Sequence, residues 1–114
     1  MATRSRIRMV LPSGKTRSVY CHWDGNPENQ MPILKNYYNT TEKVEELLAL
    51  GALSSLGKKV KPEPGRTHTF DNPQKDVTVA YHRDRDEELQ TGHNDPEEFD
   101  YIWNGEKWSY RCSY

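Results

Sequence analysis

Phe99-Asp-Tyr-Ile-Trp103, then Asn104-Gly105, then Glu106-Lys-Trp-Ser-Tyr-Arg-Cys112, is the stretch that sets the fold class. Aromatic residues alternate with polar ones on both sides of an Asn-Gly pair. Period-two alternation marks half-buried strands, and Asn-Gly suits a type I′ turn, whose two central residues both need φ above zero. With a two-residue loop, Trp103 is expected opposite Glu106, Tyr101 opposite Trp108 and Phe99 opposite Tyr110. The aromatics then share one face, where each cross-strand pair contributes roughly 0.2–1 kcal/mol. Ile102, Lys107, Ser109 and Arg111 take the other face. The aromatic stripe reads as core, with a base-stacking platform of the same composition as the alternative.

The N-terminal end repeats the pattern. Ile7, Met9 and Leu11 alternate with Arg6, Arg8 and Val10. Pro12-Ser13-Gly14-Lys15 supplies a turn, and Val19, Cys21 and Trp23 alternate with Ser18, Tyr20 and His22. One face of this hairpin is apolar, and the other presents Arg6, Arg8, Tyr20 and His22. Asp24-Gly25-Asn26-Pro27 ends the second strand. A helix is expected from about Met31, with Pro32 in its first turn and Ile33, Leu34, Tyr37 and Tyr38 on its apolar side. Asn39-Thr40-Thr41 offers N-cap oxygens for a second helix, with Glu42 placed as a capping-box partner of Asn39. Val44, Leu47 and Leu48 recur at helical spacing, and Gly51 suits the position after the helix. Leu53 and Leu56 suggest one more short turn. Residues 58–76 read as a loop, with a short edge strand at Thr67 to Phe70. Val77, Val79 and Tyr81 alternate as a strand, and residues 84–97 read as a polar loop with room for one helical turn.

Strand pair, helices, strand, strand pair predicts an α+β domain spanning residues 1–114. The expected sheet is antiparallel, of about five strands, with two or three short helices packed on one face. At 114 residues there is room for one core. Apolar residues make up 33%, charged residues 29%, and the mean hydropathy is -1.04. That composition approaches the disordered class, but three Trp and seven Tyr supply a core. No apolar run approaches the ~20 residues of a membrane span, and Met1-Ala-Thr-Arg-Ser-Arg6 lacks a signal-peptide apolar region, so no membrane partner is expected.

The net charge of -1 conceals a segregated chain. Arg4, Arg6, Arg8, Lys15 and Arg17 cluster at the start; Lys58, Lys59, Lys61 and Arg66 form a second basic run. Asp86, Glu87, Glu88, Asp95, Glu97, Glu98 and Asp100 form an acidic one. Such runs are solvated faces or surfaces for charged partners. The sequence pI near 6.4 argues against general duplex-DNA binding. Cys21 and Cys112 form no metal-binding pair, so a zinc ribbon is excluded, no metal site is expected, and both are expected as reduced thiols. Cys21 and His22 are neighbours on a strand and point to opposite faces, which argues against a Cys–His nucleophile.

Two polar clusters sit at expected strand ends: Tyr20, His22 and Asp24, and His82, Arg83 and Arg85. Arg83 and Arg85 share strand parity, so both guanidinium groups are expected to clamp one phosphate or carboxylate. Replacing both by alanine is then expected to abolish function and leave the fold intact. The alternative ties them to neighbouring carboxylates. If they share a sheet face, His22, His82 and Asp24 have the residue types for a metal or for acid–base chemistry, and of the two the expectation is an acid–base pair with Asp24 to orient one of the histidines. Phosphate-loop, dinucleotide-binding, zinc-protease and serine-hydrolase signatures are absent.

Thr3-Arg-Ser-Arg-Ile7, Tyr20-Cys-His-Trp-Asp-Gly25, Tyr38-Asn-Thr-Thr-Glu-Lys-Val-Glu-Glu-Leu-Leu-Ala-Leu-Gly51, Leu53-Ser-Ser-Leu-Gly57 and Tyr81-His-Arg-Asp-Arg85 together resemble a family of small bacteriophage and prophage proteins. The chain departs from that pattern at Asn26, where similar proteins often carry an aromatic. The resemblance implies a phage origin and the cytoplasm of an infected bacterium. The resulting expectation is an accessory protein without a cofactor. It would act by binding, antagonising host defence by blocking a host protein or by sequestering a nucleotide-derived ligand through Tyr20, His22, Asp24, His82, Arg83 and Arg85. A homo-oligomer is compatible with this. The alternatives are a small phosphodiester- or nucleotide-directed enzyme and a structural component of the virion.

Overall fold

A computed structural model describes residues 3–85 and 98–112, without the side chains of Arg85 and Cys112. The expected polar loop and most of the acidic run, at 86–97, lie outside the described residues.

β1 (Ser5–Val10) and β2 (Thr16–Cys21) form the expected antiparallel hairpin, with Ile7 opposite Val19 and Arg8 opposite Ser18. Gly14, at φ 86°, carries the turn. The chain then crosses the sheet. α1 (Pro27–Tyr37) begins four residues earlier than expected, because Pro27 supplies the preset φ of a first helical position. Pro32 consequently lies inside the helix, where it lacks a backbone donor. α2 (Thr41–Leu48) is capped by Thr40, whose Oγ1 accepts from the Lys43 N–H at 3.3 Å. Val44, Leu47 and Leu48 are buried, as their spacing predicts.

Gly51, at φ 78°, turns the chain into β3 (Leu53–Ser55), where a helical turn was expected. β3 lies parallel to β2, with Cys21 opposite Leu53, and takes its two-residue partner β4 (Val79–Ala80) antiparallel. The expected strand 77–81 is therefore shorter. Tyr81–Arg85 forms a helical turn, α3, and Thr67 to Phe70 is not a strand. β5 (Phe99–Trp103) runs parallel to β1 and pairs antiparallel with β6 (Trp108–Cys112).

The described sheet has six strands in the order β4-β3-β2-β1-β5-β6. It is mixed, which corrects the antiparallel expectation. The two parallel joints arise where the chain returns by a long crossover, and such joints carry no local turn signal. The α+β class stands.

The C-terminal hairpin has a register two residues from the expected one. Trp103 faces Trp108 and Tyr101 faces Tyr110, across a four-residue loop. Asn104 does not adopt the positive φ of a type I′ turn. Its side-chain oxygen instead accepts from the Glu106 and Lys107 N–H groups, both at 2.9 Å. An even shift preserves facing, so the aromatics still share one side.

That side is the core. Ile7, Met9, Val19, Cys21, Tyr101, Trp103 and Trp108 pack against Leu34, Tyr38, Val44, Leu47 and Leu48 of the α1–α2 layer. Both indoles also anchor that layer. Trp108 Nε1 donates to the Tyr38 carbonyl at 2.8 Å, and Trp103 Nε1 to Thr41 Oγ1 at 3.1 Å. Buried indole N–H groups need such acceptors, so these bonds fix the α1–α2 junction on the sheet.

Candidate functional site

The opposite sheet face is polar. Arg6 and Arg8 point there, as predicted, yet only 5% and 8% of their surface is exposed. Arg8 Nε lies 3.3 Å from Asp100 Oδ1, and Arg111 Nη2 lies 3.5 Å from the other oxygen of the same carboxylate. Arg6 Nη1 donates to Ser18 Oγ at 3.3 Å. Asp100 is the charged member of β5 that alternation places opposite the aromatics, so its parity was a readable signal for this ion pair. Tyr20 belongs to the same face, and its hydroxyl lies 2.6 Å from His22 Nδ1. The His22 ring meets Trp23 edge-on at 4.7 Å, and Trp23 is 46% exposed.

Asp24 is exposed and adopts a left-handed φ of 55°. Its carbonyl accepts from Asn29 Nδ2 at 2.9 Å. Tyr20 and His22 thus meet at the end of β2, and Asp24 follows them in the turn that leads into α1. His82 is exposed in α3, which follows the edge strand β4, and β3 lies between β4 and the strand of Tyr20. The shared strand parity proposed for Arg83 and Arg85 does not arise, because both belong to a helical turn.

Arg83 directs its donors inward. Its Nε lies 2.9 Å from Asp84 Oδ1 and its Nη2 3.0 Å from Oδ2, a bidentate pair. Nη1 donates to the Val60 carbonyl and Nη2 to the Thr78 carbonyl. Asp84 also accepts from the Ala80 N–H at 2.9 Å, and its Oδ1 lies 3.2 Å from His68 Nε2. His68 Nδ1 accepts from the Gln74 N–H at 3.1 Å, so the assigned proton sits on Nε2, facing Asp84. Burial pushes the Asp84 carboxyl up, but Arg83, the Ala80 N–H and His68 outweigh it and hold it below the usual carboxylate range. The cluster ties the 58–76 segment to α3.

Cys21 lies in the interior, where Gln30 Nε2 donates to its Sγ at 3.1 Å and Ser5 Oγ donates to Gln30 Oε1 at 2.9 Å. Burial, only partly offset by these bonds, pushes the thiol up to about 11. At neutral pH it is a protonated core group, since nucleophilic chemistry needs the thiolate. Among the described residues no metal-binding group of His, Cys, Asp and Glu is assembled, no helix is long and apolar enough to cross a membrane, and no buried side-chain N or O lacks a partner.

The open polar site lies elsewhere. A groove of about 300 Å³ runs between the end of α1, the first turns of α2 and the segment after Gly57. Its charged lining is Lys43, Glu46, Lys58, Lys59 and Lys61, and Tyr37 forms its aromatic wall. Tyr37 is 42% exposed, and Lys58 Nζ stands over its ring, 5.6 Å from the centroid. Lys61 lies 3.7 Å from Glu46, and Lys59 lies 3.5 Å from Glu63, both on the surface. Opposite-charge pairs so exposed contribute only ~0–1 kcal/mol and leave the ammonium groups able to exchange partners.

The backbone on either side of Lys58 is tied to the rest of the fold. Tyr38 donates its hydroxyl to the Gly57 carbonyl at 2.7 Å. Gly57 N–H donates to Thr78 Oγ1 at 2.9 Å, and Thr78 N–H to the Lys59 carbonyl at 2.8 Å. Burial pushes the Tyr38 hydroxyl up to about 12, so it stays protonated and remains a donor. Lys58 also lines a neighbouring cleft of about 380 Å³ that contains Asp24 and Asp76. The basic run at 58–66 was visible in the sequence. Its meeting with Tyr37 and Lys43 was not, because Tyr37 reads there as one more apolar helix residue. Compared with protein-family models, curated proteins and solved structures, the chain matches none.

Proposed function

We propose that this protein acts by binding, as a phage accessory protein in the host bacterial cytoplasm that blocks a host defence protein or sequesters a nucleotide-type signal. The observation that supports this reading is the contrast between its polar groups. Arg83, Asp84, His68 and Cys21 are held in interior networks, whereas the lysine groove is open to solvent and carries a surplus of three positive charges. Clustered ammonium groups beside an exposed ring suit an anionic partner. The test pairs calorimetry against cyclic di- and trinucleotides, ADP-ribose and simple nucleotides with capture of host proteins on the tagged chain. Plaque counts on a defended host with and without the protein give the biological readout. Heat or a specific host partner, together with raised plaque numbers, is the expected result. Failure of all three removes the reading.

A phosphodiester-directed enzyme is favoured by one contact, that of Tyr20 with His22 Nδ1, which leaves Nε2 as the ring atom for proton transfer. Hydrolysis of a chromogenic phosphodiester that disappears in His22→Ala and survives in His82→Ala would support it over binding alone.

A further inference from the structure

We propose that the groove between Tyr37, Lys43 and Lys58 is a mononucleotide site, in which the ammonium groups hold the phosphates and Tyr37 stacks on the base. This assignment rests on the binding reading and names its ligand class. Three features of the groove lead to it.

The first is charge. Lys43, Lys58, Lys59 and Lys61 oppose Glu46 alone within the groove. Lys61 is the lysine next to Glu46, and Lys59 is next to Glu63 outside it. Lys43 and Lys58 therefore form the positive centre, one from α2 and one from the segment after Gly57.

The second is the ring. Lys58 Nζ lies over Tyr37 in a solvent-exposed cation–π contact. Such contacts are weak when exposed, so a phosphate drawing Lys58 toward it uncovers the ring face. The same movement that pairs the ammonium with phosphate thus makes room for a base. Stacking on tyrosine is tolerant of base identity, because every base has a π-face.

The third is size. The cavity, about 300 Å³, lies at the small end of ligand sites, which run from roughly 300 to 1,000 Å³. A single nucleotide fits that volume better than a cyclic di- or trinucleotide. The backbone flanking Lys58 is already anchored, Gly57 to Tyr38 and Thr78 and Lys59 to Thr78, which lowers the ordering cost of binding.

The experiment titrates ADP, inorganic pyrophosphate and adenosine separately into the full chain by calorimetry, at low and at moderate salt. ADP is expected to bind more tightly than either fragment, and more weakly as salt rises. Lys43→Ala and Lys58→Ala should each weaken ADP by up to ~fivefold, as expected for exposed charge pairs. Tyr37→Ala should weaken it roughly tenfold through lost stacking, and Tyr37→Phe should retain wild-type affinity. Melting curves of each variant confirm the fold, which these exposed positions do not support. Pyrophosphate binding as tightly as ADP would overturn the assignment, as would ADP binding untouched by all three alanine variants. Binding of a cyclic oligonucleotide or a host protein without ADP would also overturn it while leaving the binding reading in place. No ligand and no partner of any kind would remove both.

Discussion

Arg83→Ala tests whether this arginine is an anion clamp or the pin that holds the basic segment. Its guanidinium forms a bidentate pair with Asp84 and donates to the Val60 and Thr78 carbonyls. The Asp84 side chain is 3% exposed and that of Arg83 25%. Removing one partner of a fully buried pair costs about 3–5 kcal/mol, because the remaining charge is left uncompensated. Partial exposure of Arg83 and the surviving bonds from His68 and the Ala80 N–H lower this, so we expect ~3 kcal/mol. For a domain of this size each kcal/mol moves Tm by about 4 °C, giving a fall of roughly 12 °C.

The loss should depend on pH. The Asp84 carboxyl is held below its ordinary value, so its stabilisation is complete above the unfolded carboxylate pKa of ~3.9 and is lost as pH falls through the folded value. Without Arg83 the carboxyl loses its largest lowering partner and rises relative to wild type. The Tm gap between wild type and variant is therefore full at pH 7, begins to narrow as pH falls through the variant's higher carboxyl value, and goes on narrowing down to the lower wild-type one. Arg83→Lys should recover only part of it, since an ammonium cannot form the fork. Circular dichroism melts from pH 3 to 7 measure both effects. A Tm within 2–3 °C of wild type at pH 7, under ~1 kcal/mol on the same scale, would refute the pin. So would a gap that does not change with pH. Normal stability with lost activity would restore the anion clamp expected from the sequence.

Gly57→Ala should destabilise by ~2 kcal/mol, because the added Cβ would stand 2.5 Å from the Val77 carbonyl carbon and 2.6 Å from Asp76 O and Thr78 N, all backbone atoms; chemical denaturation measures it, and an unchanged midpoint would contradict it. Thr40→Ala should cost about 1 kcal/mol through loss of the α2 cap, read as a Tm fall of about 4 °C. In a Cys112→Ser background, Cys21 should react with a thiol reagent at pH 8 only as fast as the protein opens, because burial holds its thiol near 11; labelling as fast as a free thiol would contradict the packing described for it.

What the chain alone determined was local. Alternation placed Ile7, Met9, Val19 and Cys21 on one face and Arg6, Arg8 and Tyr20 on the other, and the structure has the same two faces. Side-chain direction along a strand depends only on residue parity, so no tertiary information was needed. The same held for Val44, Leu47 and Leu48, whose buried face follows from helical period alone. The hairpin at Asn104 marks the boundary of that reasoning. Parity survived there, but the register shifted by two because the Asn104 side chain captured two backbone donors. The parallel joints β1–β5 and β2–β3, the burial of Asp100 between Arg8 and Arg111, and the inward turn of Arg83 were decided by tertiary structure. So was the candidate site. Tyr37, Lys43 and Lys58 belong to three separate segments, and only the packing of α1 and α2 on the sheet, anchored by the indoles of Trp103 and Trp108, brings them to one groove. Contacts between distant segments depend on how the whole chain closes, and neither period nor spacing encodes that.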